Sequence, residues 1–534
     1  MKKALLTLFL AFLGYFTFSQ AGASISSENL EVNLLPEGSL FTNNDFTPGF
    51  TTADGKSIMW GANLWYLGYD ANENLRGAVE IGSFGEIQHK SGTINSDPNQ
   101  ASKPLVSVTS EEIRDHIQNY RNAGYTMPDG IKDWPANGDT TIGEMFQMAP
   151  FVDLDQDGIY DPMEGDHPDI IGDHCIYMIK HENGAAGRSA LGVEEHYMFS
   201  LFNQDFNGSE ELKNSLVLNL TLYHRGIDPI EELHVGFFQD GDLGNIDDDF
   251  IGSSKAANAL FFYNADNDDD ATDDGFGVNP PGLAIGNMFC NLFGTMSLNF
   301  DGNPTATDPE TDEQFFNYLN GRWKDGTCQI ESFNGHVSAH QGGDIRVAEF
   351  VFDGDIKSQM GWTEINEENL PKDQRGLMIL KPVPFAPGDK RSFTLVYALI
   401  GDKGDHLDNG VAAIEALSVV EDELSSLYGN HPLIANSTNC SNIEIDRECG
   451  FGSSISQLED AKVRIYPNPS KGEFYIQSSN AISEVLVNNL LGQEVLSLQN
   501  PESKELLKLE AGQYLIQVLL KNGNVYQQKV SVIK

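Results

Sequence analysis

The sequence predicts a mainly β protein: a large β-sandwich-type central region with few helices, then a small antiparallel β-sandwich at the C-terminus. Three observations predict it. Short β-prone runs, among them SLVLNLTLYHRG, ELHVGFFQD, ALFFYN, DIRVAEFVFDGD and SFTLVYALIGD, recur through the middle of the chain. In the first of them Val217, Asn219, Thr221 and Tyr223 alternate with leucines, the pattern of a strand buried on at least one face. Residues 460–534 then break into short β-prone runs, with Asn522-Gly523 between two of them as a type I′ hairpin signal.

The chain starts with Lys2 and Lys3, runs through apolar Ala4–Phe18, and reaches small residues at Ser19, Ala21, Gly22 and Ala23. That order predicts a secretory signal peptide over 1–23, too short in its apolar part to stay as an anchor. No other apolar stretch has spanning length, so the mature protein is expected to have no membrane span. The β-rich central region is expected over 24–436, a Gly/Ser-rich linker over 437–459, and the small sandwich over 460–534.

Two stretches read as helices. In TSEEIRDHIQNYRNAG, Thr109 and Glu112 make a capping box, Ile113, Ile117 and Tyr120 share a face, and Gly124 ends the helix. AIEALSVVEDELSSLYG, residues 413–429, is the second, stopped at Gly429.

The 534 residues carry a formal charge of −46, which argues against nucleic acid and anionic membrane as partners, since both need clustered Lys and Arg. Such a charge repels itself unless cations offset it. Five cysteines are sparse for an exported chain of this length. Cys440 and Cys449 are close enough to close a small loop, Cys290 and Cys328 form a possible second pair, and Cys175 is left over.

The most informative stretch is DLDQDGIYDPMEGD. Asp153, Asp155 and Asp157 stand at alternate positions before Gly158. Counting Asp153 as one, Asp161 is nine and Glu164 is twelve, the spacing of a calcium loop. Ca²⁺ needs several hard oxygens on a tight curve. Gly158 permits the bend, Ile159 supplies its carbonyl with its side chain packed inward, and Glu164 binds through both oxygens. Pro150, Pro162, Gly165 and Pro168 leave no room for flanking helices, so this is not an EF-hand. Asp166, Asp169 and Asp173 are candidates for a second ion. DGDLGNIDDDF offers a further set: Asp240, Asp242, Asn245, Asp247 and Asp248. NADNDDDATDDG, residues 264–275, is a weaker one.

Catalytic signals are thin. GRSALG misses the nucleophile elbow by one residue, GFGVNP lacks the last glycine of a dinucleotide loop, and no HExxH occurs. His167, His174, His181 and His196 lie near Asp173 and Glu195 in sequence, though ordinary structural histidines explain them. With 79 acids, no carboxylate pair for glycoside hydrolysis can be chosen. Trp60, Trp65, Tyr66 and Tyr69, with Trp134, Trp323 and Trp362 elsewhere, are either sugar-stacking platforms or core packing, and packing is the plainer account.

The tail resembles a known family. YPNPSKGEF at 466–474, NNLLGQEV at 488–495, LEAGQYLIQV at 509–518 and the closing QKVSVIK, in that order, resemble the C-terminal sorting domain of type IX secretion in Bacteroidetes. The resemblance implies Sec export, passage through the outer membrane by the type IX machinery, and release or surface attachment. The central pieces SIMWGANLWYLGYDANENLRGA, QDGDLGNIDDDFIG, NYLNGRWKDGT and DQRGLMILKPVPFAPGDKRSFTLVYAL resemble large exported proteins with the same tail, and imply location and calcium dependence. The 153–173 stretch is similar to thrombospondin type 3 or dockerin loops. The expectation is thus a secreted or cell-surface, calcium-stabilised binding or adhesion protein with a possible glycan or surface ligand. The alternatives are a secreted hydrolase on polysaccharide or protein, and a structural surface-layer component. A groove with facing carboxylates and exposed tryptophan favours hydrolysis; a flat aromatic face favours binding.

Overall fold

The computed structural model describes residues 22–43, 47–70, 72–81, 87–94, 102–183, 191–270, 275–298, 305–331, 335–337, 346–437, 463–466, 470–478, 481–489, 494–502, 504–521 and 525–532. The expected signal peptide up to residue 21, nearly all of the expected linker with Cys440 and Cys449, the GRSALG serine and the expected Asn522-Gly523 turn lie outside them. The chain divides into two units, Met1–Ile445 and Asp446–Lys534.

The first unit is mainly β. Its long sheet runs Asp249–Ser254, Ala259–Asn264, Gly282–Met288, Lys390–Ile400, Ser215–His224, Val193–Leu201, His174–Glu182 and His89–Ser91, with Leu105–Thr109 also on His174–Glu182. The short sheet runs Leu292–Leu298, Gln374–Leu380, Ile230–Gly241, Gly61–Tyr69 and Leu75–Ala78, with Val383–Phe385 beside Ile230–Gly241. Four strands, Ala23–Ser26, Leu30–Leu34, Phe50–Thr52 and Ser57–Met59, form a third sheet.

The main core draws on all three sheets: Ile176, Tyr197 and Leu218 from the long one, Tyr66, Val235 and Met378 from the short one, Val32 and Phe50 from the third. The outer faces are covered as well. Helix His406–Tyr428 lays Ala413, Ala416, Leu417, Val420 and Leu424 on the far face of the long sheet. Helix Asp312–Leu319, capped by Thr311, lays Phe315, Tyr318 and Leu319 on that of the short sheet against Trp65 and Phe238. Strands covered on both sides do not need to alternate in polarity, which is why Val193–Leu201 is buried throughout.

Several expectations shift. The capping box of helix Ser110–Asn119 is present, with Thr109 Oγ1 accepting from the Glu112 N–H at 3.1 Å. Its buried face is Ile113 and His116, while Ile117 is exposed. The helix expected at 413–429 begins earlier, at His406, because Asp405 caps it by accepting from the Asp408 N–H. The described part of DIRVAEFVFDGD forms no strand. Phe350, Val351 and Phe352 are buried in the core, but the Val351 N–H donates to Thr295 Oγ1 and its carbonyl accepts from Ser253 Oγ, so side chains interrupt the backbone pairing that Glu349 and Phe352 make with Thr295 and Ser253 on either side. Cys290 and Cys328 are disulfide-bonded, and Cys175 is a buried free thiol.

In the second unit, Val463–Tyr466, Glu473–Ser478 and Lys504–Lys508 form one sheet. Glu494–Gln499, Ile482–Asn489, Gly512–Leu520 and Val525–Val532 form the other. Its core includes Phe474, Ile476, Val485, Ile516, Val518 and Val530.

Candidate functional site

Two groups of carboxylates converge among the described residues: Asp153 with Asp155 and Asp166, and Asp240 with Asp242 and Asp373. In each, one oxygen per residue lies within 4.8 Å of the others.

The first group sits on the predicted loop. Gly158 takes a left-handed φ of 82°, which a side chain would strain, and Gln156 is left-handed too. Asp153 accepts from the Gln156 and Gly158 N–H groups at 2.7 and 2.8 Å. Buried Asp166 accepts from Leu154 and Asp161 N–H, both at 2.9 Å, and so closes the loop end to end. Glu164 is raised above its ordinary range by the adjacent Asp155 carboxyl, so these two side chains also meet. Tyr160 pins the loop inward: its hydroxyl donates to the Ile131 carbonyl at 2.6 Å.

The arrangement corrects two details. Ile159 points to solvent, 54% exposed, because Tyr160 takes the anchoring role expected of it. Asp157 and Asp161 lie outside the converging group and cap the Ile159 and Met163 N–H groups instead. Asp173 is engaged elsewhere, with Ser110 Oγ and the Asn203 N–H, and does not extend the site.

The second group lies at a strand end. Asp240 and Asp242 are two apart, as are Asp373 and Arg375, so each pair shares a face. The register sets Asp240 opposite Arg375 and Gly241 opposite Gln374. Four charged side chains from neighbouring strands therefore meet. Gly241 turns the other way, where a Cβ would come within 2.7 Å of the Phe262 ring. Arg375 donates from Nε to Asp240 at 2.9 Å, from Nη1 to Asp308 at 2.7 Å and from Nη2 to Asp373 at 3.3 Å.

These groups line a cleft of about 1010 Å³. Its other walls carry Glu31, Asn33, Asn43, Thr47, Thr51 and Trp60. Trp60 is half-buried and placed by its own N–H, which donates to the Asp240 carbonyl at 3.0 Å. Trp65, Trp134, Trp323 and Trp362 are all buried, so packing accounts for them and Trp60 is the exception.

Four carboxylates here face one guanidinium. Two ionised carboxylates at this spacing repel by about 3–4 kcal/mol at an effective dielectric of about 20. Burial, offset in part by Arg375 and reinforced by Asp373, pushes Asp240 up to about 7. Burial and Asp240 raise Asp242 well above the carboxylate range.

The sequence pointed to Asp240 and Asp242 but missed Asp373, which is far along the chain and joins them only through strand register. Asn245, Asp247 and Asp248 are not brought into the group. The Asn245 side chain accepts from the Asp247 N–H, and one oxygen of Asp248 is buried without a partner. In the 264–275 stretch, buried Asp269 holds that same loop, accepting from the Asn245 and Phe276 N–H groups. The four histidines do not gather: His167 and His181 contact backbone carbonyls, and His196 contacts Glu194 and Tyr177.

The two sheets of the second unit match what the tail motifs imply. Residues 464–534 match the secretion system C-terminal sorting domain. The sorting domain marks the chain for type IX export, to the outer cell surface or the surroundings, and for contact with that machinery. Among the described residues no helix is long and apolar enough to cross a membrane. No curated protein matches the chain in sequence. A solved polysaccharide lyase aligns over 96% of this chain at 9% identity and a TM-score of 0.23, a likeness too low to carry an argument. The chain spans 47% of that structure's length.

Proposed function

We propose that the central unit is a saccharide-binding or adhesion module of the bacterial surface, working through the Trp60 cleft and held in shape by calcium at the 153–166 loop. The cleft is the observation that supports this reading. It places one accessible indole beside Asn33, Asn43, Thr47 and Thr51, and a sugar needs both an apolar face for its ring and hydrogen-bonding groups for its hydroxyls. The loop supplies the second half of the reading, because its carboxylates crowd at a site that an exported protein meets already bathed in calcium.

The test is a glycan-array and hydrolysis screen on the protein freed of its tail, with Trp60→Ala as comparison. Binding that falls in the variant, without glycan cleavage by either protein, supports the module. Equal binding by both proteins would sink it.

Hydrolysis is a second reading, favoured by the same cleft, which sets carboxylates beside an accessible tryptophan as the sequence reading required for it, and by Asp240, which burial raises to about 7. The spacing weighs against it. Within the Asp240, Asp242 and Asp373 group, one oxygen per residue lies within 4.8 Å of the others, closer than the roughly 5–5.5 Å between the carboxyl groups of retaining glycosidases.

A further inference from the structure

We propose that the floor of the cleft is a divalent-cation site made by Asp240, Asp242 and Asp373, separate from the 153–166 loop, and that its ion coordinates neighbouring hydroxyls of a neutral saccharide. The second half rests on the saccharide reading above; the first half does not.

The geometry for an ion is specific. One oxygen from each of the three aspartates lies within 4.8 Å of the other two. Asp242 is 6% exposed, lines the cleft and makes no hydrogen bond among the described residues. Oδ1 of Asp373 is buried without a partner. A buried polar atom normally has a partner, and an unpaired carboxylate is costly. The loop at 153–166 differs on this point, since its aspartates are satisfied by backbone N–H groups. Arg375 does not fill the gap. Its guanidinium is committed to Asp240, Asp308 and the other oxygen of Asp373. Hard carboxylate oxygens select Ca²⁺, Mg²⁺ or Mn²⁺.

The ligand class follows from the surroundings. Three protein residues leave positions on such an ion open toward the cleft. Even with a divalent ion bound, the four floor aspartates outweigh it and Arg375 together, and Glu31 adds to the wall. An anionic sugar is repelled there. A neutral sugar with adjacent hydroxyls replaces water on the ion and lays its ring toward Trp60.

The full chain, stripped with chelator, is titrated with Tb³⁺ and separately with Ca²⁺ by calorimetry. The wild type is expected to take up an ion in the cleft as well as one in the loop. Trp60 should sensitise Tb³⁺ emission that Ca²⁺ quenches by competition. Asp242→Asn and Asp373→Asn should each lose that emission and weaken one class of site roughly tenfold or more, while Asp155→Ala keeps it. Circular dichroism confirms folding, and the half-buried position 373 guards against a misfolded 242 variant. Wild-type emission and affinity in both Asn variants would overturn the site. Neutral-glycan binding that survives the stripping of a confirmed cleft ion would overturn its coordinating role. A confirmed ion with no glycan bound by the wild type would overturn the saccharide reading and support the ion site alone.

Discussion

The Tyr66 hydroxyl of the short sheet donates to Glu195 of the long sheet at 2.9 Å, across the middle of the sandwich. The same carboxylate accepts from Tyr197 at 2.6 Å and lies 2.8 Å from Nδ1 of His89. Burial pulls Glu195 upward, but the His89 charge and these donors outweigh it and hold Glu195 down to about 2. Burial likewise works against a charged His89, and Glu195 outweighs it, so His89 is raised.

Glu195→Gln keeps an acceptor for the tyrosines but removes the charge. The expected loss is about 3–5 kcal/mol near pH 6, the usual cost of breaking a buried pair. The sign is set by both partners. Stability from Glu195 is present above its unfolded pKa and lost as pH falls toward about 2. Stability from His89 is present below its unfolded pKa and lost as pH rises through its raised folded value. Urea unfolding across this range checks it; a variant as stable as the wild type at pH 6 refutes it.

The 153–166 loop predicts a calcium-dependent melt. With calcium a hundredfold above Kd, the ion adds about 2.7 kcal/mol. Asp155→Ala should gain distinctly less melting temperature than the wild type between EDTA and millimolar calcium, keeping only the share that the cleft ion supplies. Differential scanning fluorimetry reads both, and a wild type indifferent to chelator counts against the loop as an ion site.

Glu364 predicts the opposite pH slope from Glu195. It is fully buried, accepts from the Ile251 N–H at 2.8 Å and from Gln374 Nε2 at 3.1 Å, and burial pushes it up to about 7. A raised carboxyl stabilises fully below its unfolded pKa and loses that contribution as pH climbs to about 7. At pH 8, Glu364→Gln should therefore be more stable than the wild type by up to about 3 kcal/mol, with little difference at pH 4. Gln374 Oε1, buried without a partner, is positioned to receive the new amide after a flip. Equal pH slopes in the two proteins would remove this account.

Arg375→Gln leaves Asp240, Asp308 and Asp373 without their shared cation. Loss of one partner from a buried ionic group costs about 3–5 kcal/mol. The loss should be larger in EDTA than in millimolar calcium, because an ion at the cleft floor offsets the same repulsion. Denaturant midpoints in the two buffers provide the comparison.

Local signals were legible and long-range ones were not. Thr109 with Glu112 marked a helix start because a capping box is complete within four residues. ALFFYN and the leucine alternation at 215–224 marked strands for the same reason: the pattern and the element share one stretch of chain. The 153–166 turn was readable from its aspartate spacing and Gly158. Asp166, which closes it, falls outside the twelve-residue template. The cleft was readable only in pieces: Asp240, Asp242 and Trp60 stood out in the sequence, but not their meeting with Asp373 and Arg375. Its floor exists because Gln374–Leu380 pairs with Ile230–Gly241 and sets Arg375 opposite Asp240, and nothing near either residue announces that register. His89 was missed likewise, since its partner Glu195 lies across the sheet.

The cores of the two units have separate memberships. The sorting domain's cluster is built from residues 465–532 alone, and the clusters of the first unit use none of them. Among the described residues each unit thus encloses an apolar interior of its own, the ordinary condition for a segment to fold as a separate domain.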